Sequence, residues 1–216
     1  MRLGAKSKIT SHKSSMGGKA MTPASEMTAT PATNLAFQRE FDDEKERELF
    51  EKEYEMVNGQ PEAREMGSSR HSGVGTRLVI RMGMHVENNK LGAVYGPDAT
   101  FQIGKKERMP DVSFLSAARI PEEGESDKKW DVAPDLAAEV ISPNETWEKV
   151  NDKILEYFDA GVRQVWLISL KHRRVYVYDS TNLVRILTEE DELASEELLP
   201  GFRCRISELF QQPARA

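Results

Sequence analysis

Apolar and polar positions fall into two rhythms along this chain. From Val74 to Asn88 the apolar residues Val74, Leu78, Met82 and Val86 recur at four-residue steps, with Val79 and Ile80 beside them, which predicts an amphipathic helix. Asn88, Asn89 and Gly92 supply its stop signal. The rhythm then changes to short β-type segments at Ala93–Tyr95, Thr100–Ile103, Val112–Leu115 and Leu136–Ile141. A second helix is expected from about Glu145 to Ala160, with Asn144 as N-cap, Pro143 before it and Gly161 just past its end. Its apolar stripe is Trp147, Val150, Ile154, Tyr157 and Phe158. Gln164–Leu170 and Arg174–Asp179 then read as a hairpin across Lys171-His172-Arg173. A β-rich tail follows, with Leu199-Pro200-Gly201-Phe202 and a short helical turn. The order helix, strands, helix, strands implies an α/β (α+β) fold, a mixed sheet flanked by helices with additional hairpins.

The N-terminal part differs. Residues 1–34 are rich in Ser, Thr, Ala, Gly, Met and Lys without hydrophobic periodicity, so they cannot offset the entropy of ordering. A flexible, mildly basic tail is expected over residues 1–38, with one domain over 39–216. The dense charges from Glu40 to Glu55 read as a solvated helix, and Val57-Asn58-Gly59-Gln60 as the turn of a strand pair spanning Tyr54 to Ala63.

Composition narrows the function classes. The chain of 216 residues holds 38% hydrophobic residues, enough for one substantial core, and no run of eighteen apolar residues, which excludes a membrane-spanning helix. The start lacks an apolar stretch of signal-peptide length, and Cys204 is the single cysteine, so a reducing cytoplasm is the expected compartment. Cys204 reads as a small buried apolar residue. A net charge of −6 disfavours non-specific coating of nucleic acid but allows a local basic groove. His12, His71, His85 and His172 lack zinc-site spacing, and neither a phosphate-binding glycine loop nor a Gly-x-Ser-x-Gly elbow occurs.

The informative residue is Glu139, inside the apolar strand Leu136-Ala137-Ala138-Glu139-Val140-Ile141. A carboxylate there needs a cation, a donor or a metal nearby: either it binds metal or it is a strand-end acid paired with Arg or Lys. Three Pro-Asp pairs offer a second acid. Asp135 lies on the same strand, four residues or about 13 Å away, too far to share one Mg²⁺ with Glu139. It reads as a strand-entry residue, and Asp98 as a turn residue. Asp111 opens the strand Asp111-Val112-Ser113-Phe114-Leu115, and a neighbouring strand can set its carboxylate beside Glu139. On the second helix Lys153 falls about 60° from Val150, at the edge of the buried face. From there it reaches toward the sheet or snorkels over the core. Trp166 reads as core.

These segments together resemble a known family. Pro110-Asp111-Val112-Ser113-Phe114, Glu139-Val140-Ile141-Ser142-Pro143 and Lys153-Ile154-Leu155-Glu156-Tyr157 look like its signatures in order. So do Ala160-Gly161-Val162, Val165-Trp166-Leu167-Ile168 and Leu199-Pro200-Gly201-Phe202, with Tyr54-Glu55-Met56-Val57-Asn58-Gly59 and Arg70-His71 upstream. The family is that of the Uma-type restriction endonucleases, within the PD-(D/E)XK nuclease superfamily. The resemblance implies a restriction-endonuclease-like domain that hydrolyses DNA phosphodiester bonds with Mg²⁺ or Mn²⁺. Asp111 and Glu139 would be its metal ligands and Lys153 its catalytic cation. The superfamily's strand lysine is replaced here by Ile141, and the resemblance implies that Lys153 substitutes. Glu55 is a possible outer carboxylate, contacting a second metal or aligning Lys153. His71 would approach the phosphate backbone or simply begin the first helix. A nuclease that cuts both strands at a symmetric site implies a two-fold homodimer. The alternative is a catalytically silent module of the same fold that binds nucleic acid or a protein partner.

Overall fold

The computed structural model describes residues 68–125, 127–142 and 145–214 in full, and the main chain of 54–57 and 60–63. The expected tail over 1–38, and the charged helix as far as residue 53, lie outside the described residues. The last two positions of that helix are not helical: Tyr54 opens strand β1 (Tyr54–Val57), which pairs antiparallel with β2 (Gln60–Ala63). The strand pair expected there is present.

Helix α1 (Ser69–Asn89) starts five residues earlier than the apolar rhythm suggests. Its first turn carries no buried apolar residue, so periodicity alone misses it; the signal is Ser68, whose hydroxyl accepts the His71 N–H at 3.3 Å. The helix buries Val74, Leu78, Met82 and Val86, the stripe read from sequence. Its end corrects the expectation of a glycine stop. Lys90, at φ 55°, takes the left-handed position, while its N–H reaches Glu87 O and the Leu91 N–H reaches Val86 O. Gly92 serves a different purpose, since a Cβ there would sit 2.0 Å from the Leu115 carbonyl oxygen.

The central sheet has six strands in the order β10-β9-β8-β7-β6-β3. They are β3 (Gly92–Tyr95), β6 (Val112–Ser116), β7 (Leu136–Ile141), β8 (Gln164–Ser169), β9 (Arg174–Ser180) and β10 (Leu183–Leu187). Only β7 and β8 run parallel. A parallel pair needs a crossover, and helix α2 (Trp147–Asp159) supplies it. Side chains alternate between the two faces. On β7, Leu136, Ala138 and Val140 join the core beneath α1, while Ala137 and Ile141 face the core beneath α2.

Smaller elements close each face. The hairpin of β11 (Glu192–Ser195) and β12 (Leu199–Arg205), with helix α3 (Ile206–Leu209), covers the α1 side. There Trp166 is fully buried and stacks on Phe202 with centroids 6.3 Å apart, as its reading as core requires. Cys204 is buried in the same core, and burial pushes its thiol up to about 11, which disfavours the nucleophilic thiolate. On the α2 side the hairpin of β4 (Phe101–Ile103) and β5 (Lys106–Arg108) buries Phe101 and Ile103. Lys106 and Arg108 from that hairpin both bind Glu156 of α2. Strand β5 escapes the sequence reading, because Lys106-Glu107-Arg108 shows no apolar alternation.

Two details of α2 correct the sequence reading. Its N-cap is Thr146, whose hydroxyl accepts the Lys149 N–H at 3.4 Å, and not Asn144, which lies outside the described residues. Trp147 is 63% exposed and leaves the stripe; Val150, Ile154 and Tyr157 are buried, and Phe158 packs half-buried against the same core. The helix end follows expectation: Gly161 takes φ 90°, with Gly161 N–H to Phe158 O and Val162 N–H to Tyr157 O.

Candidate active site

The antiparallel register of β6 and β7 pairs Val112 with Ala138 and Ser113 with Ala137. Continued by one residue, it sets Asp111 beside Glu139, the neighbouring-strand geometry that a shared site requires. The Val140 N–H donates to Asp111 Oδ2 at 2.7 Å and fixes the aspartate at the strand end. Glu139 shares a sheet face with Ala137 and Ile141, so it points toward α2. From that helix Lys153 Nζ comes to 3.8 Å from Glu139 Oε2, and the Tyr157 hydroxyl donates to Glu139 Oε1 at 2.5 Å. From the start of α1, His71 Nε2 lies 3.4 Å from Asp111 Oδ2. His71 is thus both a first-turn residue and a neighbour of the candidate acid.

Two members of this cluster are not among the residues that the sequence singles out. Glu145 accepts from Lys153 Nζ at 3.0 Å through Oε1 and from the Ser142 N–H at 3.3 Å through Oε2. It therefore ties the segment after β7 to the lysine. Tyr157 reads from periodicity only as core, and its ring is 1% exposed, yet its hydroxyl is committed to Glu139. A signal for it exists: Tyr157 is four residues beyond Lys153, so both meet the same patch of sheet. The Glu55 side chain lies outside the described residues.

The electrostatics identify Asp111 as the group under stress. Burial pushes its carboxyl above the ordinary range; His71, the Val140 N–H and Lys153 pull the other way, and Glu145 adds to the rise. Three carboxylates thus gather around Lys153, and His71 adjoins one of them, Asp111. The other Pro-Asp residue that is buried behaves differently. Asp135 accepts from the Ser116 N–H at 2.8 Å and sits 3.2 Å from Arg119. Although burial raises its carboxyl, these partners win and hold it below the usual value. It is a structural strand-entry residue, as read from sequence, and Asp98 lies exposed in a turn.

Among the described residues, no group of three or more His, Cys, Asp or Glu converges to hold a metal ion. What the cluster offers is two half-buried carboxylates with hard oxygen donors. That set suits Mg²⁺ or Mn²⁺, which protein sites often hold through one or two carboxylates while water and phosphate complete the shell. It does not suit zinc. Ile141, where the superfamily carries a lysine, packs into the core beneath α2, while the helix brings Lys153 toward Glu139.

Helix, antiparallel strands, crossover helix and parallel strand in this order form the restriction-endonuclease-like fold. Within that class, the chain belongs to the Uma2 family, described as "putative restriction endonuclease", whose profile matches residues 41–207. Its fold is similar to a crystal structure described as a putative nuclease belonging to DUF820 from Anabaena variabilis ATCC 29413. The TM-score is 0.66 at 23% identity, over 73% of this chain and 89% of that one. Among curated proteins, none matches significantly.

Proposed function

We propose that this chain is a metal-dependent endonuclease that hydrolyses phosphodiester bonds in DNA. The observation that supports it most is the meeting of Asp111, Glu139 and Lys153 at one half-buried cluster, from the residue before β6, from β7 and from α2. Half-burying two acids and a lysine together is costly, and perturbed charges of this kind gather at functional sites. Asp111 and Glu139 would hold Mg²⁺ or Mn²⁺. When bound, that ion supplies positive charge for the scissile phosphate and acidity for a water molecule.

The chain's own residues do the rest. The Val140 N–H fixes Asp111, and the Tyr157 hydroxyl fixes Glu139. Lys153 provides a cation beside Glu139, available to a phosphate that gathers negative charge as it reacts. Glu145 holds that lysine at the site between turnovers. His71, next to Asp111, stands where α1 meets the cluster and offers a donor to the DNA backbone. A two-fold homodimer would let one site act on each strand, and light scattering that found a monomer at working concentration would count against it.

A second reading is a catalytically silent module of the same fold that binds nucleic acid or a protein partner. The apolar Ile141 at the strand-lysine position favours it. Plasmid and single-stranded DNA, incubated with Mg²⁺ or Mn²⁺, distinguish the two. Metal-dependent cutting lost in Asp111→Ala supports the nuclease. Equal cutting by both proteins points to a contaminant or a wrong acid, and no cutting on a wide panel of substrates favours the silent module.

A further inference from the structure

The helix side of the cluster carries more than the lysine. Tyr157 is 1% exposed, and its ring is held among Val150, Ile154, Val162, Val165 and Leu167 in the core beneath α2. A tyrosine so placed could be a phenylalanine as far as packing is concerned. Its hydroxyl nonetheless donates to Glu139 Oε1 at 2.5 Å, a short bond typical of a charged acceptor. The other carboxylate oxygen, Oε2, faces Lys153 at 3.8 Å. The two oxygens of Glu139 therefore have different neighbours: one is fixed by a rigid ring in the core, the other meets a flexible, 24% exposed lysine.

We propose that Tyr157 is a positioning residue for metal binding, which fixes Glu139 through Oε1 so that Oε2 is presented to the cation. The inference rests on the proposed metal-dependent function. Its physical basis is that a glutamate has three rotatable bonds, and a ligand that must be ordered on binding costs affinity. On its own strand face this glutamate is flanked by the apolar Ala137 and Ile141, so polar support has to come from other elements. The hydroxyl on the facing helix supplies that support before any cation arrives. Partners that orient a ligand in this way typically change metal affinity about 10–100-fold when removed.

Mn²⁺ binding to the full chain, measured by electron paramagnetic resonance, tests this without reliance on turnover. Tyr157→Phe keeps the ring and removes one oxygen. With circular dichroism unchanged, its Mn²⁺ dissociation constant is expected to rise about tenfold. In a Glu139→Ala background the same substitution is expected to change nothing further, because the acceptor is gone. The contact can also be read with the hydroxyl in place: fluorotyrosine at position 157 is expected to shift its ¹⁹F resonance as Mg²⁺ is added. Equal Mn²⁺ affinity in wild type and Tyr157→Phe overturns the positioning role, as does a ¹⁹F signal that ignores Mg²⁺. If wild type itself binds no Mn²⁺, the underlying metal-dependent function fails instead.

Discussion

Replacing Asp111 with asparagine separates what the site costs the fold from what it does. The carboxyl is raised by burial and by Glu145, so its ionised form destabilises the folded chain in the absence of metal. The sign follows from that shift. A folded-state value above the unfolded one, near 3.8, means stability that is present below pH 3.8 and lost as pH rises through the folded value. Asparagine keeps an oxygen for the Val140 N–H and removes the charge, while the attraction to His71 at 3.4 Å is given up. Neutralising a strained functional group commonly gains about 1 kcal/mol. For a domain of this size that is about 3 °C in Tm. Asp111→Asn is therefore expected to melt about 3 °C above wild type in metal-free buffer at pH 7, with the difference vanishing toward pH 3.8. Mg²⁺ should then reverse the order, because a ligand at a hundred times its Kd adds about 2.7 kcal/mol to the chain that binds it. Differential scanning calorimetry at two pH values, with and without Mg²⁺, reads all three effects. A metal-free Tm at or below wild type, or an equal response of both proteins to Mg²⁺, would falsify the reasoning.

Other outcomes follow from neighbouring contacts. Glu156→Gln strips the counter-charge from Lys106 and from Arg108, which is buried, and should cost about 3 kcal/mol in urea unfolding. Burial raises the Glu156 carboxyl, but its two cations more than offset this and hold it low. Wild type should accordingly lose stability as pH falls below 4.5 through the folded value, and the variant should show a flatter acid limb; parallel limbs would refute this. Gly92→Ala drives a Cβ to 2.0 Å from the Leu115 carbonyl, at φ 146°, and should lose about 3 kcal/mol or more, or yield no soluble protein; a near-normal Tm would show that β3 and β6 can part freely. Lys153→Met should lower kcat about 10²–10³-fold, with Mn²⁺ affinity changed far less, and a loss confined to Mn²⁺ binding would make the lysine a site organiser instead.

Much of this architecture is legible in the amino-acid sequence, because it is written in local patterns. The strand Leu136–Ile141 and the stripe of Val74, Leu78, Met82 and Val86 follow from residues that are near neighbours in the chain. The candidate acids follow from simple physical limits: one carboxylate inside an apolar strand, and a second that has to come from another strand. What stays hidden depends on contacts between distant segments. Strand β5 has no apolar alternation, because its Lys106 and Arg108 are neutralised by Glu156 across the α2 face. Lys90 takes a left-handed turn that glycine would ordinarily fill, since Gly92 is needed where β6 passes closest. Tyr157 reads as core, and it is core. Only the packing of α2 over β7 decides that its hydroxyl meets Glu139, just as only the β6–β7 register decides that Asp111 meets Val140 from 29 residues away. Sequence periodicity records which face of an element is buried; it holds no record of which polar atom on another element lies opposite, and that pairing is what makes the cluster.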